Sequence, residues 1–498
     1  MRPGQLLLVQ TTSALLLLSS LVIAQDNPIS DTSNSEPKQP SFYGNRAITQ
    51  SKAPTAEQKI TFQRRAIAPP IVNQEENKKE EKASILATEA RTENQKVSDE
   101  ARLTISIPLT QQERMLANKA HYYIEQNWNP NTGFIDSVQG YHHSTMWDIA
   151  SSIGAILALE ALELLPSDQA SSKLEALLST LGAMPLYNGK LPNREYNTKT
   201  GLPSGSLSST ASNGNGWSAL DIGRLLIWLE ITAKYKPEFI NQIVKIKKNW
   251  SLADAVNQQN LYGEYRNKQR VQYRQEGRLG YLQYAAQGYS LSGYDVSKAY
   301  EKTDTQVVYQ GNTELIIDKR NLPYFTPDPY VLNAIELGIH DIWWDQLEAL
   351  YSIHKNQFNR TDQLWIFAED AISKAPWFSY NNIYFYGKSW LSTSAGGKPI
   401  ENPQVFSNKI AFALSVIFND AFSERLQQQV IKNSRFSKSV PTGVYLNNAP
   451  NLAYNINTNS LILVSLWFKH RNKRPILEDA VITDNKVQNT RQKSLITN

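Results

Sequence analysis

Apolar residues recur at helical spacing from residue 106 to 470, and turn-rich segments interrupt this pattern. Segments 149–159 and 220–229 are apolar or small on every face, whereas segment 171–181 is amphipathic. The pattern predicts helices at residues 111–126, 145–165, 171–181, 217–235, 239–250, 276–288, 329–338, 343–357, 405–420, 424–432 and 459–469.

The two kinds of helix suggest how they are arranged. A helix that is apolar on all faces is buried on both sides, and an amphipathic helix has one face in water. Their alternation predicts two concentric rings, an all-α toroid of helical hairpins of the (α/α)6 type. An irregular helical domain is the alternative. Residues 306–309 and 315–317 carry β-type side chains, so we also expect a small β-hairpin inserted in the toroid.

The two ends of the chain differ from this body. Arg2 precedes an apolar run that ends at Ala24, which is typical of a secretory signal peptide over residues 1–24; an uncleaved anchor is the alternative. Residues 25–105 are mostly polar and predict a disordered linker, and residues 471–498 predict a disordered basic tail. We expect a periplasmic or secreted protein with no stable membrane span in its mature form.

Composition narrows the chemistry. The chain has no cysteine, which excludes disulfides, thiolate nucleophiles and cysteine-bound metals. Its net charge of +5 lies partly in the C-terminal tail, so we do not expect nucleic acid as a partner. The sequence lacks a His-Glu-x-x-His zinc motif, a glycine-rich phosphate loop and a Gly-x-Ser-x-Gly elbow, and we predict neither a metal nor a cofactor.

Residues 144–148 place Trp147 beside Asp148 at the start of a buried helix. An aromatic ring packs on the apolar face of a sugar, and a carboxylate can move protons, so this pair fits a glycan site. Thr145 and Asp148 also fit a capping box, in which the carboxylate binds amide groups of its own helix. The sequence leaves both interpretations open.

Residues 216–224 put Trp217 before a helix that carries Asp221 and Arg224 one turn apart. Asp221 and Arg224 could form a simple ion pair on one face. However, a charged pair in an otherwise apolar helix also favours a position beside a cavity, because burial without a partner or a ligand is costly.

Two further segments combine charged and aromatic residues. Glu276 and Arg278 flank Gly277, and Gly280 and Tyr281 follow; a first-turn glutamate that complements the helix dipole is the structural alternative. Asp328 precedes a proline and fits an N-cap, and Tyr330 follows as a residue that could face a cavity.

Each of these carboxylates lies at the N-terminus of a predicted inner helix, and the inner helices of a toroid begin at one rim. We therefore expect Asp148 and Glu276 to be the first catalytic pair, with Asp221 next. The expected substrate-binding residues are Trp147, Trp217, Arg224, Arg278, Tyr281 and Tyr330.

The segments 145–150, 216–226 and 276–285 resemble a bacterial family called domain of unknown function 3131. The resemblance covers most of residues 110–470. It implies a glycoamylase-like helical toroid, and such toroids host glycosidases and some polysaccharide lyases.

The leading interpretation is a glycoside hydrolase acting on a bacterial glucan or exopolysaccharide, with a polysaccharide or oligosaccharide as its partner. A non-catalytic glycan-binding or polysaccharide-assembly protein is one alternative. A polysaccharide lyase is another, in which Arg224 or Arg278 would neutralise a uronate and Tyr281 would abstract a proton.

Overall fold

Helices dominate the chain that the computed structural model describes, which is residues 106–267, 270–320, 325–338 and 342–478. The predicted signal peptide and linker lie outside these residues. The described α-helices are α1 Gln111–Asn127, α2 Met146–Ala161, α3 Ser167–Ala183, α4 Ala219–Tyr235, α5 Ile240–Asn249, α6 Tyr281–Leu291, α7 Asp328–Leu332, α8 Ile342–Thr361, α9 Asn408–Ile417, α10 Ala421–Ser434 and α11 Ile456–His470.

Six of these helices close a ring. Helix α2 contacts α4, α4 contacts α6, α6 contacts α7, α7 contacts α9, α9 contacts α11, and α11 contacts α2. Helices α2, α4 and α11 are buried along nearly their whole length, which follows from their apolar or small residues on every face. The ring accounts for the predicted inner layer.

The other helices pack outside this ring in alternation with the inner ones. Helix α1 contacts α2 and α11, α3 contacts α2, α5 contacts α4, α8 contacts α7, and α10 contacts α9. Between α6 and α7 the outer place is taken by a β-hairpin, Thr305–Gln310 with Thr313–Asp318, which contacts α8. The hairpin therefore lies where the sequence predicted it and replaces one outer helix.

Small antiparallel sheets make the all-α prediction wrong in part. Most strands lie in the segments that lead into inner helices, where backbone pairing fixes long connections. The strands are β1 His143–Ser144, β2 Tyr196–Asn197, β3 Gly216–Trp217, β4 Val256–Asn257, β5 Asn260–Arg266, β6 Val271–Gln275, β7 Thr305–Gln310, β8 Thr313–Asp318, β9 Glu369–Ala371, β10 Phe378–Phe385, β11 Lys388–Thr393, β12 Gln404–Ser407, β13 Gly443–Tyr445 and β14 Pro450–Asn451. The sheets join β1 to β2, β3 and β4 to β5, β5 to β6, β7 to β8, β9 to β10 to β11, and β12 to β13 to β14.

Strand pairing also moves two predicted helix starts. The helix predicted over 276–288 begins at Tyr281, because residues 271–275 pair with β5 and Gly277 and Gly280 adopt positive φ angles of 97° and 94°. The helix predicted over 405–420 begins at Asn408, because residues 404–407 pair with β13. Periodicity alone does not separate a short buried strand from a helical turn.

The folded body continues beyond the predicted boundary at residue 470. Ile476 is fully buried, and its amide donates to the carbonyl of Ile335 at 3.0 Å. The amide of Leu477 donates to the carbonyl of Glu336 at 2.9 Å. Residues 471–478 thus pack on the ring, which corrects the start of the predicted tail; residues 479–498 lie outside the described part. No helix within the described ranges has the length and apolarity needed to span a bilayer.

Helices α4 and α6 approach closely through two glycines. A Cβ atom on Gly288 would overlap the carbonyl oxygen of Gly223, and a Cβ on Gly223 would overlap that of Ala285. We expect Gly288→Ala to force these helices apart and to lower the free energy of unfolding by about 1–3 kcal/mol in urea denaturation. In the control variant Gly182→Ala, the new methyl group meets only an ordinary contact with Ile246 at 3.7 Å. An equal loss in both variants would contradict this packing argument.

Candidate active site

A cavity lies at the N-terminal ends of the inner helices, and its roughly 450 Å³ of space between the lining atoms includes a part open to solvent. Every helix of the ring contributes a side chain from its first or second turn: Trp147 from α2, Arg224 from α4, Tyr281 from α6, Asp328 from α7, Lys409 from α9 and Asn457 from α11. Strand β9, in the connection between α8 and α9, adds Glu369 and Asp370. The inner helices therefore meet at one site.

Two carboxylates and a backbone carbonyl surround one ammonium group in this cavity. The Lys409 Nζ donates to Oδ1 of Asp328 at 2.6 Å and lies 3.5 Å from Oδ1 of Asp370. It also donates to the backbone carbonyl of Glu369 at 2.6 Å. All four residues are buried. This cluster joins α7, α9 and strand β9 through charge-assisted hydrogen bonds, which are stronger than neutral ones.

The groups of this cluster differ in proton affinity. Burial raises the pKa of Asp370 to about 6, and the charge of Asp328 acts in the same direction, while Lys409 and hydrogen bonds from Ser407 and Gln404 oppose it. Burial lowers the pKa of Lys409, but the neighbouring carboxylates outweigh burial and leave that pKa raised. Lys409 therefore stays charged near neutral pH, and Asp370 changes protonation just below it.

An aromatic wall faces this cluster across the cavity. The Trp147 ring lies 5.6 Å from the Tyr281 ring and 5.9 Å from the Tyr284 ring, measured between centroids. The guanidinium of Arg224 lies over the Trp147 ring at 4.5 Å. Rings beside carboxylates and amides provide both the apolar and the polar contacts that a sugar needs.

Asp148 caps its own helix and does not line this cavity. Its Oδ2 accepts the amide of Thr145 at 3.0 Å and the Thr145 hydroxyl at 2.9 Å, and the side chain is fully buried. Its Oδ1 accepts the side-chain amide of Asn457 at 2.8 Å. The structure thus supports the capping interpretation, and this hydrogen bond links Asp148 to the cavity residue Asn457.

We expect Asp148→Asn to lower the free energy of unfolding by about 1–3 kcal/mol, since a charged acceptor of several hydrogen bonds is lost. Catalytic rates of the folded variant should stay within about tenfold of those of the parent, because Asp148 does not reach the cavity. Thermal unfolding and turnover would be measured on the same preparations. A loss of turnover by more than about 10²-fold at unchanged stability would restore the catalytic assignment.

Glu276 caps the neighbouring inner helix instead of lining the cavity. Its Oε2 accepts the amide of Ala219, the first residue of α4, at 2.5 Å, and Arg194 lies 3.5 Å from its Oε1. Asp221 is buried in the first turn of α4, where its backbone amide donates a hydrogen bond to the Ser218 hydroxyl oxygen at 3.2 Å. Neither of these carboxylates belongs to the cavity lining.

The predicted substrate-binding residues divide into two groups. Trp147, Arg224 and Tyr281 line the cavity. Trp217, Arg278 and Tyr330 do not. The indole of Trp217 donates to the Tyr262 carbonyl at 3.0 Å, and Arg278 donates to the Gly277 carbonyl at 2.8 Å.

Tyr330 instead lines a second cavity between α6 and α7, whose roughly 250 Å³ of space also includes a part open to solvent. Its ring lies 6.1 Å from the Phe325 ring and 6.3 Å from the Trp343 ring. Tyr330 therefore packs behind the aromatic wall rather than in the main cavity.

Sequence reasoning missed Glu369, Asp370 and Lys409. Glu369 and Asp370 lie in a short strand, and no periodic pattern predicted a strand there. Two adjacent carboxylates between apolar neighbours, in residues 366–372, were the available signal. Lys409 was also visible, because a cation in the first turn of an apolar helix opposes the helix dipole and needs a counter-charge.

Solved structures share this fold at low sequence identity. A glucoamylase-like protein from Bacteroides caccae has a TM-score of 0.52 and 11% identity, over 74% of this chain and 97% of that one. The endo-β-1,2-glucanase from Chitinophaga pinensis, in complex with sophorotriose and glucose, has a TM-score of 0.51 and 10% identity, over 74% of this chain and 96% of that one. The endo-β-1,2-glucanase from Talaromyces funiculosus, in complex with sophorose, has a TM-score of 0.51 and 11% identity, over 77% of this chain and 88% of that one.

Sequence comparison gives the family. No curated protein matches the chain in sequence. A family model described as protein of unknown function DUF3131 matches residues 115–472, which include all six inner helices and every residue of the cavity. The chain belongs to this DUF3131 family.

Proposed function

We propose that the chain is a glycoside hydrolase that cleaves a glucan in the cavity at the centre of the ring. The observation that carries this proposal is the carboxylate cluster, in which burial raises the pKa of Asp370 to about 6 beside the ion pair of Asp328 and Lys409. Glycosidases need one carboxylic acid to protonate the leaving oxygen and a second, ionised carboxylate at the same bond. A cluster with unequal proton affinities meets that need.

In this proposal Asp370 is the general acid. Its proton is retained to about pH 6, near the range where a general acid is most effective. Asp328 and Glu369 are the candidates for the second carboxylate, since both line the same cavity. Trp147 and Tyr281 supply the stacking surface for a sugar ring.

A glucan is the substrate class that the fold favours. The Chitinophaga and Talaromyces proteins of similar fold are endo-β-1,2-glucanases in complex with sophorotriose and glucose and with sophorose, respectively. The cavity has more carboxylates than cations, which agrees with an uncharged substrate and disfavours the uronate that a lyase requires.

The test is the release of reducing ends from β-1,2-glucan, β-1,3-glucan and amylose by the full-length protein. Asp370→Asn should lower release from the substrate that the parent cleaves by a factor on the order of 10²–10⁴. Of Glu369→Gln and Asp328→Asn, the variant that removes the second carboxylate should abolish release. Asp168→Asn, at an exposed position in the first turn of α3, is the matched control and should leave release unchanged. If the glycans bind but no reducing ends appear, the protein is a glycan-binding protein and the hydrolase proposal fails.

A further inference from the structure

Arg224 lines the cavity with a nitrogen that has no hydrogen-bond partner among the described residues. Its side chain is 6% exposed, and its Nη2 lies 3.4 Å from Oε1 of Glu336, but its Nε–H has no acceptor. An unpaired buried donor is costly, and native proteins rarely keep one without a reason. A ligand in the cavity would supply the missing acceptor.

The guanidinium is held in place from two sides. The Trp147 ring lies 4.5 Å from the Arg224 guanidinium carbon on one side. On the other side Glu336 accepts from Arg224 and, through Oε2, from the hydroxyl of Tyr284. A planar guanidinium that is stacked on a ring and paired with a carboxylate loses little further freedom when it binds a ligand.

Glu336 does not line the cavity, so its effect on substrate is indirect, through Arg224 and through Tyr284, whose ring packs on Trp147. It is fully buried in a π-helical turn, Asn333–Leu337, directly after α7. Burial raises the pKa of Glu336, and Arg224 and Tyr284 oppose that rise. Single π-turns are frequent at functional sites. The hydrogen bond from the Leu477 amide to the Glu336 carbonyl fixes this turn from outside the ring.

The charges around the cavity define the acceptor. The charge of Glu336 balances that of Arg224, and Lys409 is the cation facing Asp328, Glu369 and Asp370. The lining therefore carries excess negative charge, which repels an anionic sugar. The acceptor that suits the Arg224 Nε–H here is a hydroxyl or ring oxygen.

We propose that Glu336 and Trp147 position Arg224 so that its Nε–H binds an uncharged oxygen of a neutral glucan; this inference rests on the proposed function. Arg224 is then a binding residue that selects neutral sugars, and Glu336 is a positioning residue. The arrangement explains why a costly buried ion pair lies beside the site.

Binding is tested by titration calorimetry of full-length Asp370→Asn protein with sophorotriose and maltotriose, and with trigalacturonate as the acidic probe. Adding Arg224→Ala should weaken binding of the preferred neutral trisaccharide by about 10- to 100-fold, and added guanidinium should restore part of it. Adding Glu336→Gln should weaken it by about 5- to 10-fold. Glu230 lies on α4, as Arg224 does, and pairs with Lys247 of α5. Glu230→Gln, which breaks that pair, is the matched control and should bind as the parent does.

Turnover separates positioning from a general structural role. In the otherwise unchanged protein, Glu336→Gln should raise KM more than it lowers kcat, whereas mere loss of folded protein would lower kcat at constant KM. Tyr284→Phe, which removes one hydrogen bond and keeps the ion pair, is the milder variant in case Glu336→Gln unfolds.

Unchanged binding by Arg224→Ala, or tighter binding of trigalacturonate than of the neutral probes, would overturn this inference. If the parent still releases reducing ends in that case, the proposed function survives. If the parent neither binds nor cleaves any neutral glucan, both proposals fall.

Discussion

Asp370→Asn should lower kcat/KM on the natural glucan by a factor on the order of 10²–10⁴, because the variant cannot protonate the leaving oxygen. In the parent, burial raises the pKa of Asp370 to about 6, so the catalytically competent protonated form is present below that pH. The parent's kcat/KM should therefore fall as pH rises through about 6. The pH profile of the variant should lack this decline.

The leaving group distinguishes a lost acid from a damaged site. The fluoride or nitrophenolate of an activated β-glucosyl substrate departs without protonation. Asp370→Asn should therefore keep most of the parent's rate on such a substrate. Asp328→Asn and Glu369→Gln serve as comparisons. The variant that removes the second carboxylate should be inactive on the natural glucan and on the activated glucoside alike. If Asp370→Asn were equally inactive on the activated substrate, Asp370 would not be the general acid.

Lys409→Met should lower the free energy of unfolding by about 3–5 kcal/mol near neutral pH, because it leaves Asp328 and Asp370 buried without their cation. Removing Lys409 also removes an influence that lowers the pKa of Asp370, so Asp370 should hold its proton to higher pH in the variant. The loss should shrink at about pH 5, where Asp370 is protonated and no longer adds a buried negative charge. Urea unfolding at both pH values measures this difference.

Lys190→Met is the matched control for this experiment. Lys190 pairs with Asp254 at 2.9 Å, but both side chains are largely exposed. We expect a change much smaller than that of Lys409→Met at either pH, because water screens such a pair. Equal effects of the two substitutions would show that the buried cluster has no special energetic role.

Hydrophobic periodicity was a good guide to the helices and a poor guide to the strands. It located α2 and α4, where apolar or small residues cover every face. It extended α6 back to Glu276, although residues 271–275 form a strand. Short strands carry too few residues to establish a period, and it is pairing with the preceding strand β5 that decides the state of these residues.

Local motifs predicted caps more reliably than catalysis. Thr145 and Asp148 form the capping box that their spacing allows, so the local interpretation was sufficient. Glu276 caps a helix that precedes it in the chain by more than fifty residues, and no local pattern indicates that. The residues beside these carboxylates, Trp147 and Tyr281, are the ones that line the cavity.

The sequence by itself determined the alternation of buried and amphipathic helices, the hairpin at 305–318 and the meeting of helix N-termini at one rim, because these follow from local periodicity and chain order. Only the tertiary structure decided which charges meet. Asp328, Asp370 and Lys409 come from three separate elements, and their proton affinities depend on shared burial and on each other's charge. Such coupling exists only once the ring has closed, since the unfolded chain keeps these groups apart and in water.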